Sequence, residues 1–497
     1  MLPAPLARPP VIAIVIFSVT TWALAVSCCG DITLPKIFSD HMVLQRNSAV
    51  TIWGTAEPAQ KLVITLAGHK STATADPSGH WSVLVETAAA GGPYELAVAA
   101  ESGEPRVVFS DVFFGEVWLC SGQSNMEWSM KKILNSNTEI EQAKNYPNLR
   151  LFTVTHQSSP TPLQDFSKVE SWRECSADSV QEFSAAAYFF GRELSQELAG
   201  IPIGLIDSSW GGTPAEAWIS RSTMESHVAL APLLEHWDKI NLPNDHVSPA
   251  NLYNGMLAPL TRFRIRGAIW YQGEANNGRG EQYGTLLPAL ISDWRNTFSD
   301  AEMPFYFVQL APFRYQDHPT NALPEIWDAQ LKTLKSVAHT GMVVTTDIGE
   351  TDNIHPKNKQ EVGRRLAKIA LADVYRSELP QEQQSAVSCS PIYKSHTVES
   401  NRIRLIFEHV GEGLGNRLPE STLTDFQICG EDRNFVPAIA EIQGNQVIVS
   451  SAKIENPIAV RFGWTDTSEP NLINSAGLPA SPFRTDDFPL ESVGRSF

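Results

Sequence analysis

The sequence of 497 residues has no block in which lysines and arginines cluster. Its formal charge is −17, from 55 acidic against 38 basic residues, so binding to nucleic acid has little electrostatic support. The same charge gives no long-range attraction for a polyanionic substrate. We therefore expect a substrate that is neutral or only locally charged.

Cysteine is scarce, with six residues in the chain, of which Cys28 and Cys29 lie near the N terminus. There is no CxxC motif and no close group of cysteine and histidine, so a structural zinc site is not expected. Cys389 and Cys429 lie in the same C-terminal region and could pair as a disulfide. Cys120 ends a strongly apolar run, which predicts a buried thiol that behaves as a small hydrophobe.

Long apolar runs are also rare, and the one of interest lies near the N terminus. Arg8 precedes residues 11–25, which are mostly apolar and are followed by small residues. This layout predicts a secretory signal over residues 1–29 and export to the periplasm or the extracellular space. The run is short for a membrane span. Residues 25–28 (AVSC) resemble a lipoprotein box without its usual leucine, which leaves a lipid anchor as an alternative.

Beyond this leader the chain shows three patterns. Residues 31–110 contain short strand-like runs separated by glycine and proline, which predict a β-sandwich domain. Residues 111–380 alternate strand-like runs with helical ones, which is typical of an α/β domain with a parallel sheet. Residues 385–497 return to strands and predict a second β-sandwich domain. The central strands are expected at 116–120, 203–206, 267–271, 305–308 and 342–346, with helices at 183–198 and 359–375.

Residues 122–126 (GQSNM) directly follow the strand-like run that ends at Cys120. A serine there lies at the carboxyl end of a strand, where active sites of parallel sheets gather. Backbone N–H groups at the start of the following helix could stabilise an oxyanion beside Ser124. The alternative is that Ser124 only caps the helix.

A serine hydroxyl needs a base to act as a nucleophile. His355 follows the strand expected at 342–346 and precedes the helix expected at 359–375, so it lies at the same edge of the sheet as Ser124. Asp352, three residues earlier, could orient the imidazole and stabilise its charged form. A surface histidine beside an ordinary turn aspartate is the plainer alternative.

Two further loops follow predicted strands and are polar and rich in glycine. Gly211 and Gly212 come after the strand at 203–206, and glycine lets backbone N–H groups approach a substrate oxygen. Gln272 and Asn276 come after the strand at 267–271, and either amide could complete an oxyanion hole. Four polar loops at successive strand ends are difficult to explain by packing alone.

These blocks resemble those of the sialate O-acetylesterases, which are SGNH hydrolases and are similar to acetyl xylan esterases. The resemblance rests on ordered segments that cover most of the mature chain: 36–45 (KIFSDHMVLQ), 120–126 (CSGQSNM), 209–214 (SWGGTP), 270–276 (WYQGEAN) and 354–359 (IHPKNK). It implies a three-layer α/β/α domain that hydrolyses acetyl esters of carbohydrate without a metal or cofactor. This ordered set of segments is less specific for the sugar than for the fold and for ester hydrolysis.

The resemblance also implies roles for the matching residues. Ser124 attacks the acetyl carbonyl, and His355 takes its proton and later activates water. The N–H groups of Ser124 and of Gly211 or Gly212, with the Gln272 amide, form the oxyanion hole.

The acid is left open between Asp352, Asp347 and no acid at all. The family often has aspartate two residues before the histidine, where this chain has Asn353. Glu274 is a candidate for support of the site or for substrate contact, and Asn276 is a further candidate for support.

Three alternatives remain at this point. The ester could belong to acetylated xylan or another polysaccharide, or the protein could be a secreted carbohydrate-binding protein without activity. A metal-dependent hydrolase is disfavoured by the missing ligand clusters. Trp270 is expected in the core, whereas Trp210 could lie in the core or stack on a sugar. The oligomeric state is not predicted.

Overall fold

The computed structural model describes residues 1, 31–101, 103–168, 171–240, 242, 245–316, 321–419 and 421–495. The predicted signal at 1–29 and the lipoprotein-like segment at 25–28 lie outside the described residues, apart from Met1. Within the described ranges, no helix has both the length and the apolar character that crossing a membrane requires.

The strands and helices are numbered in chain order. The strands are β1 (Val43–Gln45), β2 (Ala49–Thr55), β3 (Lys61–Leu66), β4 (His69–Thr74), β5 (His80–Glu86), β6 (Gly91–Ala100), β7 (Pro105–Gly122), β8 (Leu149–Thr153), β9 (Arg173–Glu174), β10 (Ile203–Ser209), β11 (Gly267–Tyr271), β12 (Phe305–Val308), β13 (Thr340–Val343), β14 (Ile392–Glu399), β15 (Arg402–Glu408), β16 (Leu414–Asn416), β17 (Phe426–Cys429), β18 (Val436–Pro437), β19 (Ile439–Gln443), β20 (Gln446–Ser450), β21 (Ala459–Phe462), β22 (Leu472–Asn474) and β23 (Phe483–Arg484). The α-helices are α1 (Ser124–Glu127), α2 (Ser136–Gln142), α3 (Ala185–Glu197), α4 (Arg221–Ser226), α5 (Ala231–Ile240), α6 (Gly280–Thr297), α7 (Ala322–Ser336) and α8 (Lys359–Asp373).

A parallel sheet forms the centre of the molecule, in the order β13-β12-β11-β7-β10-β8, with the short antiparallel β9 at one edge. Strands β10, β11 and β12 are buried along their whole length, as continuous apolar strands covered on both faces are. Helix α3 packs on α8, and α6 packs on α7. The predicted α/β class with a parallel sheet is confirmed.

The long strand β7 joins the N-terminal strands to this sheet. Its first half pairs with β6 and β1, and its second half pairs with β10 and β11. Asp111 lies between the halves with a φ of 54°, where the register of β6 against β7 shifts. The boundary expected between residues 110 and 111 therefore falls inside a strand that bends without ending.

The N-terminal and C-terminal regions are built from antiparallel pairs. Strands β3, β4 and β6 join one another and β7, while β2 pairs with β5. In the C-terminal region the orders are β14-β15-β20-β19 and β18-β17-β21-β23, with β16 paired to β22. These strands agree with the strand-rich pattern at both ends, and their division into two β-sandwich domains stays a prediction.

Two expectations about local structure need correction. Cys389 and Cys429 are free thiols, so the disulfide considered for them is absent. Cys429 lies at the end of β17, opposite Ala459 of β21. The strand expected at 342–346 ends at Val343, because its partner β12 ends at Val308 and leaves residues 344–346 without a ladder. Cys120 is fully buried, as predicted.

Candidate active site

Ser124 opens helix α1 directly after the central strand β7. The turn between them depends on Gly122, which has a φ of 142°. A side chain at that position would place its Cβ only 2.2 Å from the carbonyl oxygen of Tyr271 on β11. Glycine is thus needed both for the backbone conformation and for the close approach of β11. Ser124 is presented at the carboxyl edge of the sheet as predicted.

His355 meets Ser124 across this edge, with 2.8 Å between the imidazole Nε2 and the serine Oγ. The backbone N–H of His355 donates to Asn353 Oδ1 at 3.0 Å, which fixes the loop between β13 and α8. Trp128, which follows α1, stacks on the imidazole with ring centres 4.3 Å apart. Burial lowers the pKa of His355, and the charges of Lys359 and Lys132 lower it further. The imidazole is therefore neutral at lower pH than usual and can accept a proton.

Neither candidate acid reaches this imidazole. The side chain of Asp352 is 82% exposed, and its carboxylate lies 3.7 Å from the guanidinium of Arg314. Asp347 receives two hydrogen bonds from Arg365, at 2.8 and 2.7 Å. In the described part of the chain, no carboxylate forms a hydrogen bond or an ion pair with His355. The structure thus brings Ser124 and His355 together without an acid.

The glycine loop lies beside Ser124, but one of its N–H groups is occupied. Gly211 donates to the carboxylate of Glu127 at 2.6 Å, and a Cβ on Gly211 would lie 3.2 Å from that of Ser124. Gly212 has a φ of 75°, and a Cβ there would meet no atom within 4 Å. The backbone at Gly212 therefore borders open space.

The two amides proposed for the oxyanion hole are turned inward. Gln272 is fully buried and donates to the carbonyl of Thr213 at 3.2 Å and to Asn276 Oδ1 at 2.7 Å. Asn276 donates to Glu216 at 2.9 Å and accepts from the N–H of Ala215. Both amides use these contacts to hold the segment that follows the glycine loop.

Sequence comparison assigns the chain to a family. Residues 114–372 match the profile described as carbohydrate esterase, sialic acid-specific acetylesterase. Human sialate O-acetylesterase is 31% identical over 90% of this chain and 91% of its own length, and the mouse enzyme is 28% identical over 89% and 92%. A carbohydrate acetylesterase from Xanthomonas citri is 34% identical, with a TM-score of 0.83 over 92% of this chain and all of that structure.

The chain belongs to the sialic acid-specific acetylesterase family of carbohydrate esterases. It is therefore a carboxylic ester hydrolase. The matched range begins in β7 and ends in α8, so it includes Ser124, the glycine loop and His355.

A second histidine lies close to α1 in this esterase. His156 Nε2 lies 3.2 Å from both Glu127 Oε1 and the carbonyl oxygen of Ser209. Burial by itself lowers the pKa of His156, but the hydrogen bond and charge of Glu127 outweigh it, so the pKa is raised. Asp207 lies nearby, and burial raises the pKa of its carboxyl to about 7. No motif in the sequence pointed to His156, and Glu127 carried only the signal of lying one helical turn after Ser124.

The tryptophans near the signature blocks are mostly enclosed. Trp218 and Trp270 are fully buried, as expected for Trp270. Trp210 stacks on His156 at 4.2 Å and on His246 at 4.9 Å between ring centres, with interplanar angles of 3° and 15°. Trp210 is partly buried and packs against these two imidazoles.

One group of possible metal ligands occurs in the described ranges, at His41, Asp111 and Glu174, whose ligand atoms lie within 4.8 Å of one another. Arg150 already contacts both carboxylates of this group, at 3.0 Å from Asp111 and 3.5 Å from Glu174. The guanidinium supplies the positive charge that these carboxylates need. Asp111 also lies eleven residues before Gly122 on β7, far from Ser124 along the strand.

Proposed function

We propose that the protein removes O-acetyl groups from carbohydrate through an acetyl-enzyme intermediate on Ser124. His355 Nε2 takes the hydroxyl proton as Ser124 Oγ attacks the acetyl carbonyl, and it then gives that proton to the departing sugar oxygen. In the second half, His355 deprotonates a water that attacks the carbonyl of the acetyl-serine. The bond to Ser124 Oγ then breaks, His355 returns the proton to Oγ, and acetate leaves. The observation that carries this proposal is the 2.8 Å contact between the His355 imidazole and the serine hydroxyl.

For the oxyanion we propose the N–H groups of Ser124 and Gly212. Ser124 offers its N–H at the start of α1, and Gly212, which follows Gly211 in the glycine loop, borders open space. The N–H of Gly211 donates to the carboxylate of Glu127, so it can donate to the oxyanion only if that carboxylate moves. Gln272 then supports the glycine loop through the carbonyl of Thr213 and does not contact the substrate.

We propose further that His355 works without an essential acid. An SGNH hydrolase normally orients its histidine through an aspartate, which would be Asp352 in this chain. The support for a Ser124–His355 pair is that Asp352 lies against Arg314 and Asp347 against Arg365. Instead of an aspartate, Trp128 and the hydrogen bond from the His355 backbone to Asn353 orient the imidazole ring.

The substrate we propose is an O-acetylated sugar on a glycan outside the cytoplasm, reached after export of the protein. The mammalian relatives act on sialate, whereas the Xanthomonas citri relative is described only as a carbohydrate acetylesterase. The charge of −17 favours an uncharged polysaccharide such as acetylated xylan as a second candidate. Acetate release from O-acetylated sialic acid and from acetylated xylan, measured side by side, decides between them.

Replacement of the nucleophile tests the chemistry. We expect Ser124→Ala to lower kcat on an acetyl ester by at least about 10³-fold and to abolish labelling by a fluorophosphonate, because no hydroxyl remains to be acylated. Ser226→Ala, at an exposed position at the end of α4, serves as the matched control. Asp352→Asn should keep activity within about threefold of the unchanged protein, because an exposed carboxylate is screened by water. Full activity of Ser124→Ala would refute the proposal. A large loss of activity in Asp352→Asn would show that Asp352 assists His355 as an acid.

A further inference from the structure

The residue after the nucleophile, Asn125, is buried and makes three polar contacts with its side chain. Its Nδ2 group donates to the carbonyl oxygen of Ile354 at 2.9 Å and to a carboxylate oxygen of Glu274. Its Oδ1 accepts from Lys359 Nζ at 2.5 Å. Only 1% of Asn125 is exposed, so water cannot replace these partners at low cost.

The chemistry of the three partners fixes which way the amide of Asn125 points. In its ammonium form Lys359 can only donate, which places the amide oxygen opposite it. A backbone carbonyl can only accept, so the atom facing Ile354 is the amide nitrogen. The Ile354 carbonyl by itself selects this orientation, and an isosteric side chain without both a donor and an acceptor cannot make all three contacts.

These contacts join the segments that carry the catalytic pair. Asn125 is adjacent to Ser124 on α1, and Ile354 is adjacent to His355 on the loop that precedes α8. Glu274 belongs to the loop after β11, and Lys359 begins α8. One amide therefore links the nucleophile, the base and two neighbouring elements at the edge of the sheet.

The pair that holds the amide is itself buried. Burial lowers the pKa of Lys359 to about 7, against the carboxylates of Glu274 and Glu350, which raise it. Burial raises the pKa of Glu274, and the hydrogen bond from Asn125 opposes this. The second carboxylate oxygen of Glu274 is buried without a partner in the described ranges. Burying the charged groups of Lys359 and Glu274 costs desolvation free energy that an apolar contact would not cost. We therefore expect these two side chains to have a role that an apolar contact cannot fill.

We propose that Asn125 is a positioning residue for the Ser124–His355 pair, and that Lys359 and Glu274 hold its amide in the orientation which this task requires. This inference rests on the proposed function, because it concerns the same serine and histidine. Asn125 acts by fixing the loop at Ile354, so that the His355 Nε2 stays within hydrogen-bonding distance of the serine Oγ. A misplacement of about 1 Å at such a pair can cost about 100-fold in rate.

The principal test compares two buried asparagines. Asn125→Leu keeps the size of the side chain and removes all three contacts, and we expect kcat to fall by about 100-fold while KM changes by less than about threefold. Asn474→Leu is the matched control, because Asn474 is also buried and its amide donates at 2.9 Å to the carbonyls of Cys389 and His409 in the C-terminal region. The control should lower the melting temperature and leave the kcat of the folded protein unchanged.

A second pair of variants keeps the proposal testable if Asn125→Leu does not fold. Lys359→Met leaves the carboxylate of Glu274 buried without its cation, so we expect a large loss of kcat. The double variant Lys359→Met/Glu274→Gln removes both charges but keeps an acceptor for the Asn125 amide, and it should recover part of that loss.

The outcomes separate this inference from the function itself. An Asn125→Leu protein with a kcat within about threefold of the unchanged protein would overturn the positioning role. If Asn125→Leu does not fold, the positioning role would be overturned by equal kcat values for Lys359→Met, for Lys359→Met/Glu274→Gln and for the unchanged protein. Absence of esterase activity in the unchanged protein would instead count against the proposed function.

Discussion

Two histidines of this esterase lie against the short helix α1, and each stacks on a tryptophan. His355 stacks on Trp128 with ring centres 4.3 Å apart, and His156 stacks on Trp210 at 4.2 Å. The pKa of His355 is lowered and that of His156 is raised. Both histidines stack on a tryptophan at a similar distance, so the stacking does not explain why their pKa values shift in opposite directions.

The charges around each imidazole explain the contrast. Burial lowers the pKa of both histidines, and Lys359 and Lys132 further disfavour a proton on His355. Within the described residues, the Nε2 of His355 forms its hydrogen bond with the serine hydroxyl. The carboxylate of Glu127 favours a proton on His156, whose Nε2 lies within 3.2 Å of that carboxylate. The two imidazoles beside α1 therefore differ: the surroundings of His355 favour the neutral form that acts as a base, whereas Glu127 favours the protonated form of His156.

The largest expected effect comes from exchanging each histidine for glutamine. His355→Gln removes the proton acceptor of Ser124, and we expect kcat on an acetyl ester to fall by at least about 10³-fold. His156→Gln keeps a polar side chain of similar length and should lower kcat by less than about tenfold. Steady-state kinetics on both variants checks the comparison, and similar losses in the two would show that the histidines share the chemistry.

An intermediate effect is expected on stability when Glu127 is replaced. The raised pKa of His156 stabilises the fold fully below about pH 6.5, and this is lost as the pH rises through the folded-state value. The lowered pKa of Glu127 stabilises the fold above about pH 4.5 and is lost as the pH falls through its folded-state value. The pair therefore contributes most between these two limits.

Glu127→Gln should accordingly lower the melting temperature more near about pH 5.5 than near about pH 9, by the equivalent of about 0.5–1 kcal/mol. The effect is small because the side chains of His156 and Glu127 are 39% and 37% exposed. A glutamine can still accept from the Gly211 N–H, so that hydrogen bond is preserved. Glu182→Gln, at an exposed carboxylate paired with Lys131, is the control. A loss that does not vary with pH would show that His156 is uncharged.

The smallest expected effect concerns Lys132, whose ammonium lies 4.7 Å from the centre of the Trp128 ring. Its charge helps to lower the pKa of His355, and the base is active only when deprotonated. Lys132→Met should therefore move the acid limb of the kcat/KM profile to higher pH and leave the plateau unchanged. Added salt should reduce the difference, because an exposed charge is screened. A shift to lower pH would contradict the assignment of His355 as the base.

Much of the fold was accessible from local patterns. The strands at 267–271 and 305–308 begin and end where predicted. The helix expected at 183–198 begins at Ala185, because Ser184 caps it by accepting from the N–H of Ala187 at 3.1 Å. The boundary expected near residue 110 does not end a strand, because β7 continues through Ser110 and Asp111, two polar residues that interrupt its apolar pattern.

The site was accessible only in part. The positions of Ser124 and His355 follow from the rule that parallel strands end at one edge. The directions of side chains do not follow from it: Gln272 and Asn276 turn inward, and Asp352 turns outward to Arg314. Among the partners that decide this, Glu216 and Arg314 are not part of any motif.

The sequence by itself determined the order of the polar loops at the strand ends, and with it the family and the serine–histidine chemistry expected there. Only the tertiary structure decided which charges surround each histidine and which N–H groups remain open. The physical reason is distance along the chain: 231 residues separate Ser124 from His355. A pKa depends on burial and on charges within a few ångströms, and in this site those come from segments that meet only in the folded sheet.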